Sequence, residues 1–267
     1  MLDTCRTYDR KCSHHPYYVH NRRALIMEYR NATPLKGKKI IYDGDSICEY
    51  SPERNDGAYA ERIAEICGGT CVNLAVGGGT LASQKLRPLN RWGQRRHSLV
   101  DSLANLPQDG DLYCFEGGVN DYWQNIELGF FDADSYDYEL DPNTVSGALE
   151  LIFRYAIDEF LGKPICFVIV HKISEYSGGK RTADLMTKKN GAAVPYTFDE
   201  CHARLVAICK KYSIPYYDAY EESGLNGWNR TQNEHFFYNS DGCHPNGEGY
   251  KRYYVPQLIS LFEKIMP

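Results

Sequence analysis

Two short segments at opposite ends of the chain carry residue types that could form a nucleophile and its base. Ser46 lies in a Gly-Asp-Ser-Ile segment at 44–47, directly after an apolar run, and Asp241 precedes His244 by three residues. A serine hydroxyl becomes nucleophilic when a general base removes its proton, and histidine titrates near neutral pH. One loop could carry both Asp241 and His244, so that the carboxylate holds the imidazole in the required tautomer. The pattern predicts a serine esterase with Ser46, Asp241 and His244 as catalytic residues.

Apolar segments alternate with segments of helical spacing along the chain. We expect strands at 39–42, 70–76, 111–116, 164–170 and, more weakly, 214–218. We expect helices at 58–67, 143–161, 198–212 and 246–264. Alternation of strand and helix is typical of a parallel sheet covered by helices on both faces. The predicted fold is therefore α/β, a three-layer α/β/α sandwich with a mainly parallel five-stranded sheet.

Three turns with polar or glycine residues come directly after predicted strands. They contain Ser46, the glycines at 77–79, and Asn120. Because the carboxyl ends of parallel strands share one edge of the sheet, these turns should converge in space. An acyl-transfer oxyanion needs fixed hydrogen-bond donors, and the backbone of Ser46, the backbone of Gly78 and the amide of Asn120 could supply them. Gly77 and Gly79 are adjacent alternatives to Gly78.

Four blocks occur in an order and spacing that resemble the SGNH or GDSL-type hydrolase family. The blocks are Gly44–Ile47, Asn73–Gly79, Gly118–Asp121 and Asp241–His244. The resemblance covers roughly residues 38–265 and implies the flavodoxin-like SGNH fold. It also implies roles: Ser46 as nucleophile and oxyanion donor, Gly78 and Asn120 as further oxyanion donors, His244 as base and Asp241 as its orienting residue.

One residue departs from the family pattern, which often reads Asn-x-Gly-x-x-Gly in its second block. Ala75 stands at the first glycine, whereas Gly78 matches the second. We expect an SGNH hydrolase domain at 38–267, preceded by an N-terminal extension at 1–37. The chain has no Gly-x-Ser-x-Gly elbow, which argues against the α/β-hydrolase fold.

Composition excludes several other classes of protein. A net charge of -5 argues against nucleic-acid binding, and no apolar stretch is long enough for a membrane helix or a signal peptide. We therefore expect a cytoplasmic protein with no membrane partner. Cys12, His14 and His15 lack a Cys-x-x-Cys partner, so neither a metal nor another cofactor is expected. The ten cysteines are expected to be reduced thiols, and the oligomeric state stays open.

The segment 121–141 bears on the substrate. It contains seven acidic residues, six aromatic residues and no Lys or Arg. Aromatic faces beside carboxylates suit the C–H faces and hydroxyls of sugars, and the negative field of the carboxylates would repel phospholipid head groups or coenzyme A. We therefore predict deacetylation of a carbohydrate. A solvated lid with aromatic rings packed on the core is the structural alternative. Trp123, Trp228 and Arg230 are candidate substrate contacts.

Two other functions stay open at this point. Within the enzyme class, the chain could hydrolyse lipid esters, short-chain acyl esters or thioesters. In a different class, the same fold could serve as a non-catalytic carbohydrate-binding or interaction module. The presence of all four blocks with their reactive residues favours the enzyme.

Overall fold

A five-stranded parallel sheet forms the centre of the computed structural model, which describes residues 28–55, 57–174 and 196–267. The strands are β1 Lys39–Asp43, β2 Thr70–Asn73, β3 Leu112–Glu116, β4 Ile165–Ile169 and β5 Tyr216–Asp218. Their order is β2-β1-β3-β4-β5, and every neighbouring pair is parallel. This is the flavodoxin-like order, in which ligands bind at the carboxyl edge where the strand order reverses. The predicted fold class is confirmed.

Four longer helices cover the sheet. They are α1 Tyr59–Cys67, α2 Val145–Glu159, α3 Phe198–Lys211 and α4 Val255–Ile265. Helix α1 packs against α4, and α2 packs against α3. Because right-handed crossovers to β2 and to β4 run in opposite directions along the sheet, the two pairs cover opposite faces. The result is an α/β/α sandwich.

Shorter helical segments connect these elements. They are Pro52–Asn55, Leu99–Ser102, Leu103–Asn105, Val119–Trp123, Ala219–Glu222, Arg230–Phe236, Tyr238–Ser240, Gly247–Gly249 and Tyr250–Tyr254. The last two lead directly into α4, so the single helix expected at 246–264 contains a π-helical segment, Tyr250–Tyr254. Such segments often occur at functional sites.

Local side-chain chemistry explains where several elements begin and end. The Thr197 hydroxyl and the Glu200 carboxylate form a capping box at the start of α3. Strand β2 ends earlier than expected, at Asn73, because the Asn73 side chain accepts the backbone N–H of Ala75 and turns the chain. This turn starts the glycine segment that follows β2.

The structure describes part of the predicted N-terminal extension, residues 28–37. Tyr29 and Thr33 donate hydroxyl hydrogen bonds to Glu263 Oε1 at 2.7 and 2.6 Å, so this part lies against α4. Residues 1–27, which include Cys12, His14 and His15, lie outside the described residues. In the portion that is described, all eight cysteines are free, and no helix is both long and apolar enough to cross a membrane.

Candidate active site

The turn after β1 presents Ser46 at the carboxyl edge of the sheet. Asp45 shapes this turn, because its Oδ1 accepts the backbone N–H of Ile47 at 2.8 Å. Gly44 is required for close packing, since a Cβ there would lie 2.8 Å from Glu116 Oε2. The Tyr250 hydroxyl, from the π-helical segment, donates to the Ile47 carbonyl at 2.6 Å. Ser46 is thus held by β1, by the end of β3 and by the C-terminal helix together.

Ser46, His244 and Asp241 form one hydrogen-bonded chain, although 198 residues separate the serine from the histidine. Ser46 Oγ lies 2.8 Å from His244 Nε2, and His244 Nδ1 lies 2.6 Å from Asp241 Oδ2. The second carboxylate oxygen, Asp241 Oδ1, accepts the backbone N–H groups of Cys243 and His244, both at 2.8 Å. These four hydrogen bonds together fix the orientation of the Asp241 carboxylate and of the His244 ring.

Electrostatics favour an ionised Asp241. Burial raises the pKa of its carboxyl, but the hydrogen bond and charge of His244 and two backbone N–H groups outweigh burial, so the pKa lies below its ordinary value. An ionised carboxylate at Nδ1 keeps the Nδ1 proton on the ring. His244 Nε2 is then free to accept a proton from Ser46.

The loop that carries Asp241 and His244 is fixed by backbone contacts. Tyr238 N–H donates to the His244 carbonyl at 2.8 Å, and Ser174 N–H donates to the Gly242 carbonyl at 2.7 Å. Gly242 has φ +68°, and a Cβ there would lie 2.6 Å from the Ser174 carbonyl oxygen. Only glycine fits this left-handed, crowded position.

The segments that carry the predicted oxyanion donors lie at the same edge of the sheet. The Val76 N–H donates to the Gly44 carbonyl at 3.1 Å and so holds the glycine segment against the Ser46 turn. Gly79 N–H is occupied by the Val76 carbonyl at 2.9 Å, which removes it as a donor. Among the described residues, none accepts the N–H of Ser46 or Gly78. Gly78 adopts φ +80°, the left-handed region.

The Asn120 side chain contacts Asp45, the residue that precedes Ser46. Its Nδ2 donates to Asp45 Oδ2 at 2.9 Å, which leaves the second amide hydrogen for another acceptor. Helix Val119–Trp123 is tied to the glycine segment by Asp121, which accepts the N–H groups of Leu81 and Ala82 at 2.9 and 3.0 Å. Burial raises the pKa of Asp121 to about 6, because these N–H bonds only partly offset desolvation.

A buried pair of carboxyl groups lies under the nucleophile turn. Glu116 Oε2 accepts the backbone N–H of Asp45 at 3.0 Å, and both side chains are fully buried. Burial raises the pKa of both carboxyls, and the charge of Asp45 raises that of Glu116 further. Asp45 receives hydrogen bonds from Ile47 and Asn120, whereas Glu116 Oε1 has no partner within the described chain. We therefore assign the proton to Glu116 and the charge to Asp45.

His171 is a second buried histidine near the site. Its Nδ1 lies 2.6 Å from the Tyr254 hydroxyl, which belongs to the π-helical segment. Desolvation and the nearby His244 lower the pKa of His171 to about 3, so the ring is neutral. The π-helical segment thus positions two elements at once: Tyr250 holds the Ser46 turn, and Tyr254 holds His171 at the end of β4.

The candidate substrate contacts Trp123, Trp228 and Arg230 remain predictions. Trp123 is 37% exposed at the end of its short helix. Trp228 Nε1 donates to the Ile173 carbonyl at 2.5 Å, which places this ring near the loop of Asp241. The Arg230 guanidinium forms an ion pair with Glu234 at 2.8 Å along its own exposed helix.

Three of the six aromatic rings of the acidic segment 121–141 lie around Lys211 of α3, whereas Trp123 and Phe130 are exposed. The ammonium group of Lys211 lies 5.2 Å from the ring centroid of Phe131, 4.9 Å from that of Tyr136 and 4.5 Å from that of Tyr138. Lys211 also pairs with the buried Glu150 at 2.8 Å. These rings surround a cation of α3, which corresponds to the packed alternative considered for this segment.

Sequence reasoning missed Glu116 and His171. Both are ionisable residues at the carboxyl end of otherwise apolar strands, Glu116 as the last residue of β3 and His171 two residues beyond β4. A titratable residue in that position indicates a functional site, since ligands bind at the carboxyl ends of the strands in a parallel sheet. No group of three His, Cys, Asp or Glu side chains that could hold a metal ion occurs in the described ranges.

A doubly wound sheet with a serine-bearing turn at its carboxyl edge is compatible with a hydrolase of the α/β/α class. Residues 44–252 match the model of the GDSL-like Lipase/Acylhydrolase family. The chain belongs to this family and is an ester-hydrolysing enzyme.

Solved structures show the same fold. A protein of Lactobacillus plantarum has a TM-score of 0.67 and 21% identity, over 86% of this chain and 98% of its own. A possible lipase from Chitinophaga pinensis has a TM-score of 0.59 and 17% identity, over 85% and 98%. Phospholipase A1 from Streptomyces albidoflavus has a TM-score of 0.51 and 14% identity, over 84% and 99%. At these identities the likeness concerns the fold. No curated protein matches the chain.

Proposed function

We propose that this enzyme hydrolyses carboxylic esters through an acyl-enzyme on Ser46. The observation that carries the proposal is the hydrogen-bonded chain from Ser46 Oγ to His244 Nε2 and from His244 Nδ1 to Asp241. His244 takes the hydroxyl proton as Ser46 Oγ attacks the ester carbonyl, and the carbonyl π electrons move to oxygen. The tetrahedral intermediate expels the alkoxide, which receives that proton from His244. Asp241 stabilises the transient imidazolium.

Water completes the cycle by the same steps. His244 removes a proton from water, which attacks the acyl carbonyl, and Ser46 leaves with a proton from His244. During both halves the oxyanion would accept hydrogen bonds from the N–H groups of Ser46 and Gly78 and from the Asn120 amide. The Asn120–Asp45 bond supports this role, because it fixes the orientation of the amide plane.

The proposal also concerns the substrate, that is, the compound whose hydroxyl or thiol group carries the acyl group. We keep an acetylated carbohydrate as a candidate substrate, with lipid esters, short-chain acyl esters and thioesters as the alternatives. The carbohydrate hypothesis rested on the aromatic rings of segment 121–141, and three of these rings instead surround Lys211. These three rings therefore do not support the carbohydrate hypothesis, whereas the exposed rings of Trp123 and Phe130 leave it open. A panel of acetylated sugars, acyl esters and acyl-CoA, scored by the acid released, separates these classes.

Fluorophosphonate labelling tests the nucleophile. We expect a covalent adduct on Ser46 that is lost in Ser46→Ala, with p-nitrophenyl acetate hydrolysis abolished in Ser46→Ala and His244→Ala. The matched controls are Ser260→Ala and His235→Ala, two exposed positions on other helices, which should keep wild-type rates. A folded protein that is not labelled at Ser46 would refute Ser46 as the nucleophile.

A further inference from the structure

A depression of about 520 Å³ opens beside the proposed oxyanion glycine. Its wall contains Val76 and Gly77, the residues that directly precede Gly78 in the chain. The opposite wall consists of residues from one segment: Asn90, Arg91, Trp92, Gln94, Arg95, Arg96 and His97. A substrate whose carbonyl oxygen lies at Gly78 could therefore extend part of its structure into this space.

The segment that forms this wall is strongly basic. Residues 85–97 contain five Lys and Arg residues and no acidic residue, in a chain whose net charge is -5. Structural contacts use several of these cations. Lys85 pairs with Asp101 at 3.4 Å, Arg87 donates to the Gln124 carbonyl at 3.0 Å, and Arg95 Nη1 donates to backbone carbonyls of its own segment.

Arg91 and Arg96 are the other two arginines of this segment. Within the part of the chain that is described, neither Arg91 nor Arg96 forms an ion pair or a side-chain hydrogen bond. Arg96 Nη1 lies 3.9 Å from the position that a Cβ of Gly78 would occupy. The Arg91 guanidinium lies 4.1 Å from the ring centroid of Trp92, a stacking contact that orients the planar group.

The carboxylates near this depression already have an ion-pair or hydrogen-bond partner. Glu49 lies close to Gly77, where a Cβ would be 3.0 Å from Glu49 Oε2, and it forms an ion pair with Arg54. Asp43 is hydrogen-bonded to His97 at 2.8 Å. The positive charge of Arg91 and Arg96 is therefore not cancelled locally, and it is available to an anion that enters the depression.

We infer that Arg91 and Arg96 form an anion subsite, so that the enzyme prefers esters carrying a phosphate, sulfate or carboxylate group. The inference rests on the proposed function, because it takes Gly78 as the place of the reacting carbonyl oxygen. Guanidinium groups bind such anions through paired, charge-assisted hydrogen bonds. An anionic group of the substrate would lie in the depression while its ester lies at Ser46.

Matched ester pairs test the subsite. One pair places the anion on the acyl side, p-nitrophenyl hemisuccinate against p-nitrophenyl acetate. The other places it on the alcohol side, acetylglycerol phosphate against acetylglycerol. We expect kcat/KM to favour the anionic member of at least one pair. The Arg91→Gln/Arg96→Gln double variant should lower the ratio of kcat/KM for the anionic ester to that for the neutral ester about tenfold or more, because it removes charge-assisted hydrogen bonds to the anion. Arg91→Lys/Arg96→Lys should retain part of the preference.

Controls separate the subsite from the rest of the enzyme. Lys264→Gln removes one positive charge from an exposed position on α4 and should leave the ratio at the wild-type value. Added salt should reduce the wild-type ratio, because exposed charges are screened. Hydrolysis of phosphatidylglycerol vesicles with little activity on the soluble anionic esters would assign the anion to a lipid head group, and the reverse result would assign it to a soluble ester.

Two results would overturn the inference, and they differ from failure of the proposed function. The inference is wrong if the wild-type enzyme shows no preference for either anionic ester or for phosphatidylglycerol over phosphatidylcholine. It is also wrong if the preference persists in the double glutamine variant with an unchanged melting temperature. If Ser46→Ala retains hydrolysis of the neutral esters, the proposed nucleophile fails instead.

Discussion

Replacing Asp241 by Asn is a sharp test of the proposed mechanism, because the structure specifies how the new side chain must sit. Asp241 Oδ1 accepts two backbone N–H groups, from Cys243 and His244, each at 2.8 Å. The amide oxygen of Asn has to take that place, since an NH₂ group there would face two donors. The Asn NH₂ group would then face His244 Nδ1, 2.6 Å away in the wild type. It would donate to Nδ1 and force the ring proton onto Nε2.

A proton on Nε2 removes the base from Ser46, so the chemical step should slow severely. A wrong tautomer of this kind lowers kcat about 10⁴-fold, which corresponds to about 5.5 kcal/mol in activation free energy. Asp241→Ala should be at least as active as Asp241→Asn, because alanine imposes no tautomer. Stability should follow the opposite order. Asn keeps an acceptor for the two N–H groups, whereas Ala leaves them without one, at about 1–3 kcal/mol.

The assay compares kcat for p-nitrophenyl acetate and the free energy of unfolding for both variants. The expected outcome is that the more stable variant, Asp241→Asn, is not the more active one. If Asp241→Asn keeps more than about a tenth of the wild-type kcat, or clearly exceeds Asp241→Ala, then Asp241 does not set the tautomer of His244.

Three further changes have defined outcomes. Asn120→Ala should lower kcat about 10²–10³-fold through loss of an oxyanion donor, with single-turnover kinetics as the check, and an unchanged acylation rate would contradict it. Gly78→Ala should destabilise the fold by about 1–2 kcal/mol in denaturant titrations, because φ is +80° while the Cβ meets no backbone. His171 should stay neutral in the folded state, with its pKa lowered to about 3 from 6.5, so its stabilising contribution is present above pH 6.5 and lost as pH falls towards 3. His171→Asn keeps an acceptor for Tyr254, and the fall in unfolding free energy from pH 6.5 to 4.5 should become smaller by about 2 kcal/mol; equal slopes in both proteins would refute this.

The anion subsite proposed for Arg91 and Arg96 complements these tests. The catalytic variants change the chemical step for every ester. The arginine variants should change the ratio between anionic and neutral esters. The two sets of results can therefore succeed or fail independently.

Several features could be predicted from local sequence because they depend on short-range patterns. The five apolar strands and the alternation with helices indicated the sheet and its layers, and the four blocks indicated the family. Strand ends were less accurate: β2 stops at Asn73, because a side chain of the strand itself turns the backbone. The substrate expectation depended on where segment 121–141 packs, and composition alone does not contain that information.

The sequence by itself determined the fold class and the family, and it identified Ser46, Asp241 and His244 as the residues with the required chemistry. Strand periodicity and short motifs are local, so one chain suffices to detect them. Only the tertiary structure decided which distant groups meet: the buried Glu116 under the Ser46 turn, the two tyrosines of the π-helical segment, and the arginines beside Gly78. These contacts join residues far apart in the chain. The raised pKa of Glu116 arises from burial, which exists only after the sheet and helices have packed.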